Sequence, residues 1–214
     1  MAKSVYLTAA LSACAILVLV LFSISLTESS RVNELNDEIK QISLEAQLQS
    51  AYADFDSNNS EVYCLVISQG IESLSERASK LDKKLRNYED SAFNTQEFYM
   101  TKRSFLITNM LLLRNLQKAK SSCGLETKTV LFFYAEDRSC EVDCGVIGSQ
   151  LEQLSAECHS FRYFNFPYDW PSYEFTKILE VKYGVKKTAT LVIDGERFDS
   201  PLALGDLKEK LGCE

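Results

Sequence analysis

Thr129–Cys144 reads TVLFFYAEDRSCEVDC: an almost wholly apolar run, a charged break, then two cysteines four positions apart. A short run of apolar and β-branched or aromatic residues bounded by polar ones is the pattern of a strand buried on both faces. Beyond the cysteines, Val146, Ile147, Leu151 and Leu154 recur at helical spacing, which puts the pair at a helix start. Phe161–Phe166 (FRYFNF) alternates as a second strand would, and Tyr173–Tyr183 carries Phe175, Ile178, Leu179 and Val181 as a helix. Thr188–Ile193 (TATLVI) is a third strand. Asp194-Gly195 is a hairpin turn, Arg197-Phe198 a short returning edge, and Pro201–Leu211 a terminal helix opened by proline.

Two motifs in this order, LFFYAEDRSCEVDC and VKYGVKKTATLVIDGE, carry a family likeness. From about Lys128 to Cys213 the chain resembles the thioredoxin superfamily. Its whole layout is similar to membrane-anchored thioredoxin-like proteins of archaeal type. The resemblance implies an α/β thioredoxin-like C-terminal domain that acts as a thiol–disulfide oxidoreductase on a protein thiol or disulfide client, without a cofactor. It further implies that Cys140 is the nucleophile and Cys144 the resolving thiol. A helix N-terminus favours a thiolate through its unpaired N–H groups and macrodipole.

The chain departs from the family pattern at four points. The spacing is C-x3-C rather than C-x2-C, so a bond between the two requires a distorted first turn. Ala189 falls where the family has a cis-proline, and a non-proline cis bond costs roughly 2.5–4 kcal/mol. Phe132 falls where many members keep a buried acid. Glu136, Asp137, Glu141 and Asp143 surround the pair against Arg138 alone, and carboxylates disfavour a thiolate. Two other readings stay open: a redox-inert scaffold or interaction module with structural disulfides, and a soft-metal site of Cys140 and Cys144 with Cys158 or His159. The metal site is strained by distance, because Cys158 lies roughly 20 Å from Cys144 along a helix. His159, the only histidine, reads as an exposed helix-end residue, and Trp170 as loop packing. The pairing of Cys158 with Cys213, or with Cys140 or Cys144, is undecided.

Upstream the texture is helical. Val32, Leu35, Ile39, Ile42 and Ala46 form an apolar stripe, and DFDSNNS (Asp54–Ser60) is a break. Ile67, Ile71, Leu74, Ala78, Leu81, Leu85 and Tyr88 repeat in alternating steps of four and three among charged residues, a coiled-coil-like face suited to self-association. A third helix from about Gln96 to Ser122 carries Phe105, Leu106, Met110, Leu113 and Leu116. Two helices joined by a short turn pack antiparallel. Cys64 and Cys123 are equally distant from a turn at positions 93–94, so folding brings them together at the open end. A disulfide there would close a loop favouring the native state by about 4 kcal/mol in the chain-entropy treatment. The other reading is two small buried thiols.

The first residues are the most apolar. Between Ser4 and Thr27 no residue is charged, and Val5–Leu26 as a helix would span roughly 33 Å, enough for a hydrocarbon core of roughly 30 Å. A cleaved signal peptide would need a better small-residue site than Ser25-Leu26-Thr27. A lipobox at Leu11–Cys14 would end its apolar run at the cysteine, whereas the run continues. The expectation is a single-pass anchor in the lipid bilayer. Lys3 and the amino terminus would lie in the cytoplasm and the rest of the chain outside. The domains expected are an anchor over 1–27, a helical stalk over 28–56, a helical hairpin over 57–126 and the C-terminal domain over 127–214.

The totals set limits on all of this. A net charge of −7 and a pI near 5.0 exclude a nucleic-acid partner, since nothing would neutralise phosphates. Seven cysteines in 214 residues, six of them beyond the apolar start, suggest an oxidising compartment.

Overall fold

The computed structural model describes residues 16–19, 33, 36, 37, 39–44, 47, 60–89, 96–135, 138–168 and 174–213. Two compact units emerge: residues 1–48 with 79–105, and residues 49–78 with 106–214. Helix α1 (Ser60–Glu89) and helix α2 (Gln96–Ser122) each contribute to both.

In the first unit, Leu81 and Leu85 of α1 are buried, continuing the seven-residue stripe. Lys84 pairs with the buried carboxylate of Glu97 at 3.2 Å, and Tyr88 meets Phe98 edge-on at 6.1 Å. Burying a carboxylate is tolerable because it is paired.

The second unit holds the sheet. Strands β1 (Lys128–Tyr134), β2 (Phe161–Pro167), β3 (Thr190–Ile193) and β4 (Glu196–Phe198) lie in the order β2-β1-β3-β4. β1 and β2 are parallel, with helix α3 (Glu141–Glu157) between them in sequence. β3 runs antiparallel to both β1 and β4. Helix α4 (Glu174–Tyr183) precedes β3, and helix α5 (Leu204–Leu211) follows β4. One face of the sheet presents Val130, Phe132, Phe161, Leu191 and Ile193 to Ile147, Leu151 and Leu154 of α3 and to Leu207 and Leu211 of α5. Leu131, Phe133, Phe164, Phe166 and Val192 alternate with these and are also buried. β1 is therefore covered on both faces, which is why its sequence does not alternate. At the base of the unit Gln117 of α2 donates to the Tyr183 hydroxyl of α4 at 3.0 Å.

The β3–β4 turn is tied down by its own first residue. Asp194 and Gly195 have φ of 48° and 96°, the left-handed pair required at a tight hairpin. The Asp194 carboxylate accepts from Thr129 N at 3.0 Å and from Lys120 Nζ at 2.7 Å. Partial burial works to raise its pKa. The Lys120 hydrogen bond, the Thr129 bonds and the Lys120 charge outweigh it, so the group sits below its ordinary 3.8. A carboxylate whose pKa is depressed on folding stabilises the fold above its unfolded value, and that contribution disappears as pH falls through the folded value. Asp194→Asn is therefore expected to lower Tm at neutral pH. The gap to the parent chain should close below about pH 4 in a calorimetric pH series. A gap that stays constant down to pH 2 would mean that the charge contributes nothing.

Three sequence expectations are corrected. The fold-class expectation of an α/β thioredoxin-like C-terminal domain behind a transmembrane helix and a helical hairpin and stalk gives way to a mostly helical structure, 69%, with a small four-stranded mixed sheet, and no thioredoxin fold is shown among the described residues. Among the described residues no helix is long and apolar enough to cross a membrane. In the long ones, α1 and α2, the uncharged stretches 62–71 and 104–113 are ten residues each and are flanked by charged residues, too short for a hydrocarbon core that needs about 20 apolar residues. Val5–Leu26 lies outside the described residues apart from the helical turn 16–19. The single-pass placement and its inside–outside orientation are corrected accordingly. The stripe Val32–Ala46 falls in the partly described segment, where Ile42 is buried.

Candidate thiol–disulfide site

All six described cysteines are bonded, in three pairs of different kinds. Cys64 of α1 is joined to Cys123, just past α2, across a sequence separation of 59. Cys158, the C-cap of α3, is joined to Cys213, just past α5, across 55. Ser160 lies beside this bond, its Oγ 2.9 Å from Cys158 Sγ and 3.7 Å from Cys213 Sγ, and it donates to the Leu211 carbonyl at 2.8 Å. Each bond therefore fastens chain ends that no local structure would hold. Cys140 and Cys144, by contrast, are joined across a separation of 4 within one helix start.

The local backbone explains how a C-x3-C pair closes. A 3-10 turn, Arg138–Cys140, feeds into α3, and Cys140 is the N-cap with φ −120° and ψ 12°. That conformation lies outside the helical basin, so its Cβ is not bound to the helical i,i+4 direction. The two Cα atoms stand 5.3 Å apart, within the range a disulfide spans. Cys140 makes no side-chain cap hydrogen bond.

The two cysteines differ in exposure. Cys140 is 5% exposed and belongs to the buried cluster that contains Phe132, Ile147, Ala189 and Leu191. Cys144 is only partly buried and packs at the edge of that cluster. Around them, Glu141, Val142, Asp143 and Val146 are exposed, Val142 at 78%. Val146, read from the sequence as part of the helix's apolar pattern, faces out, while Ile147, Leu151 and Leu154 make the core contact. Glu136, Asp137 and Trp170 lie outside the described residues.

Ala189 joins this cluster in an unusual form. Its φ is +56°, and the described residues contain no cis peptide bond. The backbone here takes a left-handed turn into β3 rather than the cis-proline turn implied by the resemblance. For an L-residue with a Cβ this costs roughly 1–2 kcal/mol. Thr190 Oγ1 anchors the turn by donating to the Lys187 carbonyl at 3.0 Å. Phe132, where the resemblance implies a buried acid, is apolar, but its register partner on β2 is Asn165. Asn165 Oδ1 is buried with no protein hydrogen-bond partner.

The metal alternative loses its third ligand, because Cys158 is bonded to Cys213, and His159 is exposed beyond the end of α3. Among the described residues no group of three or more metal-binding side chains comes together.

No family model, curated protein or solved structure matches the chain.

Exposed Glu141 and Asp143 in the first turn of α3 set an electrostatic preference among reducing thiols. Cysteamine, a cation, is expected to open Cys140–Cys144 several-fold faster than mercaptopropionate, after correction for thiolate fraction. The ratio should fall toward one at roughly 1 M salt, where screening shortens to about 3 Å. Equal rates at low salt would remove the two carboxylates from any part in selection.

Proposed function

We propose that the chain carries out thiol–disulfide exchange through Cys140 and Cys144 with a protein dithiol or disulfide as partner. The observation that carries this reading is the placement of the bond. Cys140–Cys144 ties residues that one helix turn already holds together, while the other two disulfides fasten distant segments. A purely structural cross-link there has little to constrain, because stabilisation of the unfolded-state type grows with loop length. The bond also stands at a helix N-terminus, where a thiolate released from it is stabilised by first-turn N–H groups.

The chemistry is balanced without a cofactor. A client thiolate attacks one sulfur of the pair, a mixed disulfide forms and the other sulfur departs as thiolate. A second client thiolate then attacks the mixed disulfide, leaving the client oxidised and both cysteines as thiols after protonation. Run in reverse, the dithiol reduces a client disulfide.

The test is equilibration of the full chain in glutathione buffers of graded potential, followed by acid quenching and mass mapping. The expected result is a reversible two-electron transition at Cys140–Cys144 alone, with Cys64–Cys123 and Cys158–Cys213 closed throughout. Reduction of insulin by the dithiol form should be lost in Cys140→Ser and Cys144→Ser. A pair that never opens under these buffers, or insulin reduction that survives both substitutions, would reject the proposal in favour of an inert scaffold.

A further inference from the structure

We infer that the two cysteines act in the opposite order to the one the resemblance implies: Cys144 is the sulfur that exchanges with the client, and Cys140 is the one that leaves and returns. This rests on the exchange reading above and assigns the direction of attack within it.

Two independent features agree. The first is access. An incoming thiolate must approach a sulfur in line with the bond it breaks. Cys140 is 5% exposed within the apolar cluster, whereas Cys144 is partly open at its edge. The second is the leaving group. Disulfide cleavage is faster when the departing thiol is better stabilised as thiolate. Cys140 is the N-cap of α3, the position whose side chain lies nearest the unpaired N–H groups of the first helical turn. No side-chain cap bond is made while its sulfur is tied up in the disulfide, so those donors become usable when the sulfur is released. Cys144, one turn further in, has a backbone N–H within the helical ladder around it and no such donors to depart toward. Attack on Cys144 thus meets an accessible sulfur and expels the better-stabilised one. Attack on Cys140 would meet a covered sulfur and expel the less stabilised one.

The step is an exchange of sulfurs. The client sulfur bonds to Cys144 Sγ, the Cys140–Cys144 bond breaks and its electron pair goes to Cys140 Sγ. Cys140 then waits as thiolate or thiol beneath the mixed disulfide. It either re-forms the original bond, expelling the client, or remains reduced when a second client thiol resolves the adduct.

The experiment uses the oxidised full chain and cysteamine as the probe thiol. Brief reaction and acid quenching trap the first adduct, and cleavage at Glu141 places the two cysteines on separate peptides. At least about ten times more adduct is expected on Cys144 than on Cys140. In parallel, Cys140→Ser should accumulate a stable mixed disulfide with cysteamine disulfide at Cys144, and Cys144→Ser should form its adduct at Cys140 at least about tenfold more slowly. Adduct mainly on Cys140 would overturn the assignment while leaving exchange itself intact. No adduct at either sulfur, with the disulfide unopened, would overturn both.

Discussion

Opening the Cys158–Cys213 disulfide, by Cys158→Ala with Cys213→Ala, is expected to lower the stability of the chain by about 4 kcal/mol. The same loss is expected for the Cys64→Ala, Cys123→Ala pair. Cys140→Ala with Cys144→Ala should cost no more than about 2 kcal/mol. The order follows from loop length. Bonds closing separations of 55 and 59 residues withdraw much more freedom from the unfolded chain than one closing a separation of 4. In the folded state Cys158–Cys213 fastens the end of α3 to the end of α5, the two helices that cover one face of the sheet. Gln150 donating to the Leu202 carbonyl at 3.3 Å and Lys208 pairing with Glu157 at 3.2 Å are the weaker ties between the same segments. Replacing both cysteines of a pair leaves neither partner behind as a thiol to confuse the comparison. Urea unfolding of the three double variants would measure the order. If the local pair proved the costliest to lose, it would be a structural staple, and the exchange function would lose its main support.

Ala189→Pro is expected to destabilise the chain by roughly 3 kcal/mol or more, although proline is what the family resemblance would place there. Proline fixes φ near −65°, whereas this residue has φ +56° and is buried among the strands and α3. Adopting proline would require the Thr188–Thr190 backbone to turn through more than 100° inside a packed cluster. Ala189→Gly works in the other direction. It removes the Cβ from a left-handed position and should stabilise by up to about 1 kcal/mol, the relief being partly offset by the freedom glycine gains when unfolded. Thermal unfolding of the two variants against the parent measures both. A stabilised proline variant would show that the loop is built for the cis turn after all. A glycine variant of lower stability would show that the Ala189 methyl contributes more by packing than its backbone costs.

Some of this was readable in the residues alone. The seven-residue repeat Ile67–Tyr88 announces a helix because one face must be apolar and the other charged, and Leu74, Leu81 and Leu85 are buried on that face. TVLFFY marks a strand covered on both sides, TATLVI marks one that begins only at Thr190, after the left-handed Ala189, and Asp194-Gly195 marks a turn whose backbone few other residues accept. Counting from a turn expected at positions 93–94 favoured a meeting of Cys64 and Cys123 over two small buried thiols, and the two are bonded. Apolarity at Val5–Leu26, by contrast, measures only how a segment would partition. It does not establish a membrane helix, and no described helix is one.

The cysteine pair on which the reading began, in TVLFFYAEDRSCEVDC, shows where the division lies. Sequence by itself determined that two thiols would stand at the start of a helix after a buried strand, because hydrophobic period and break are local properties. It determined equally that acidic residues would surround them. Only the tertiary structure decided that Cys158 takes Cys213, which leaves Cys140 and Cys144 to each other. Only it decided that Ala189 enters the cluster through a left-handed turn, and that Cys140 is covered while Cys144 is not. Those outcomes depend on which segments from far along the chain pack over a given sulfur, and no local pattern of residues encodes that.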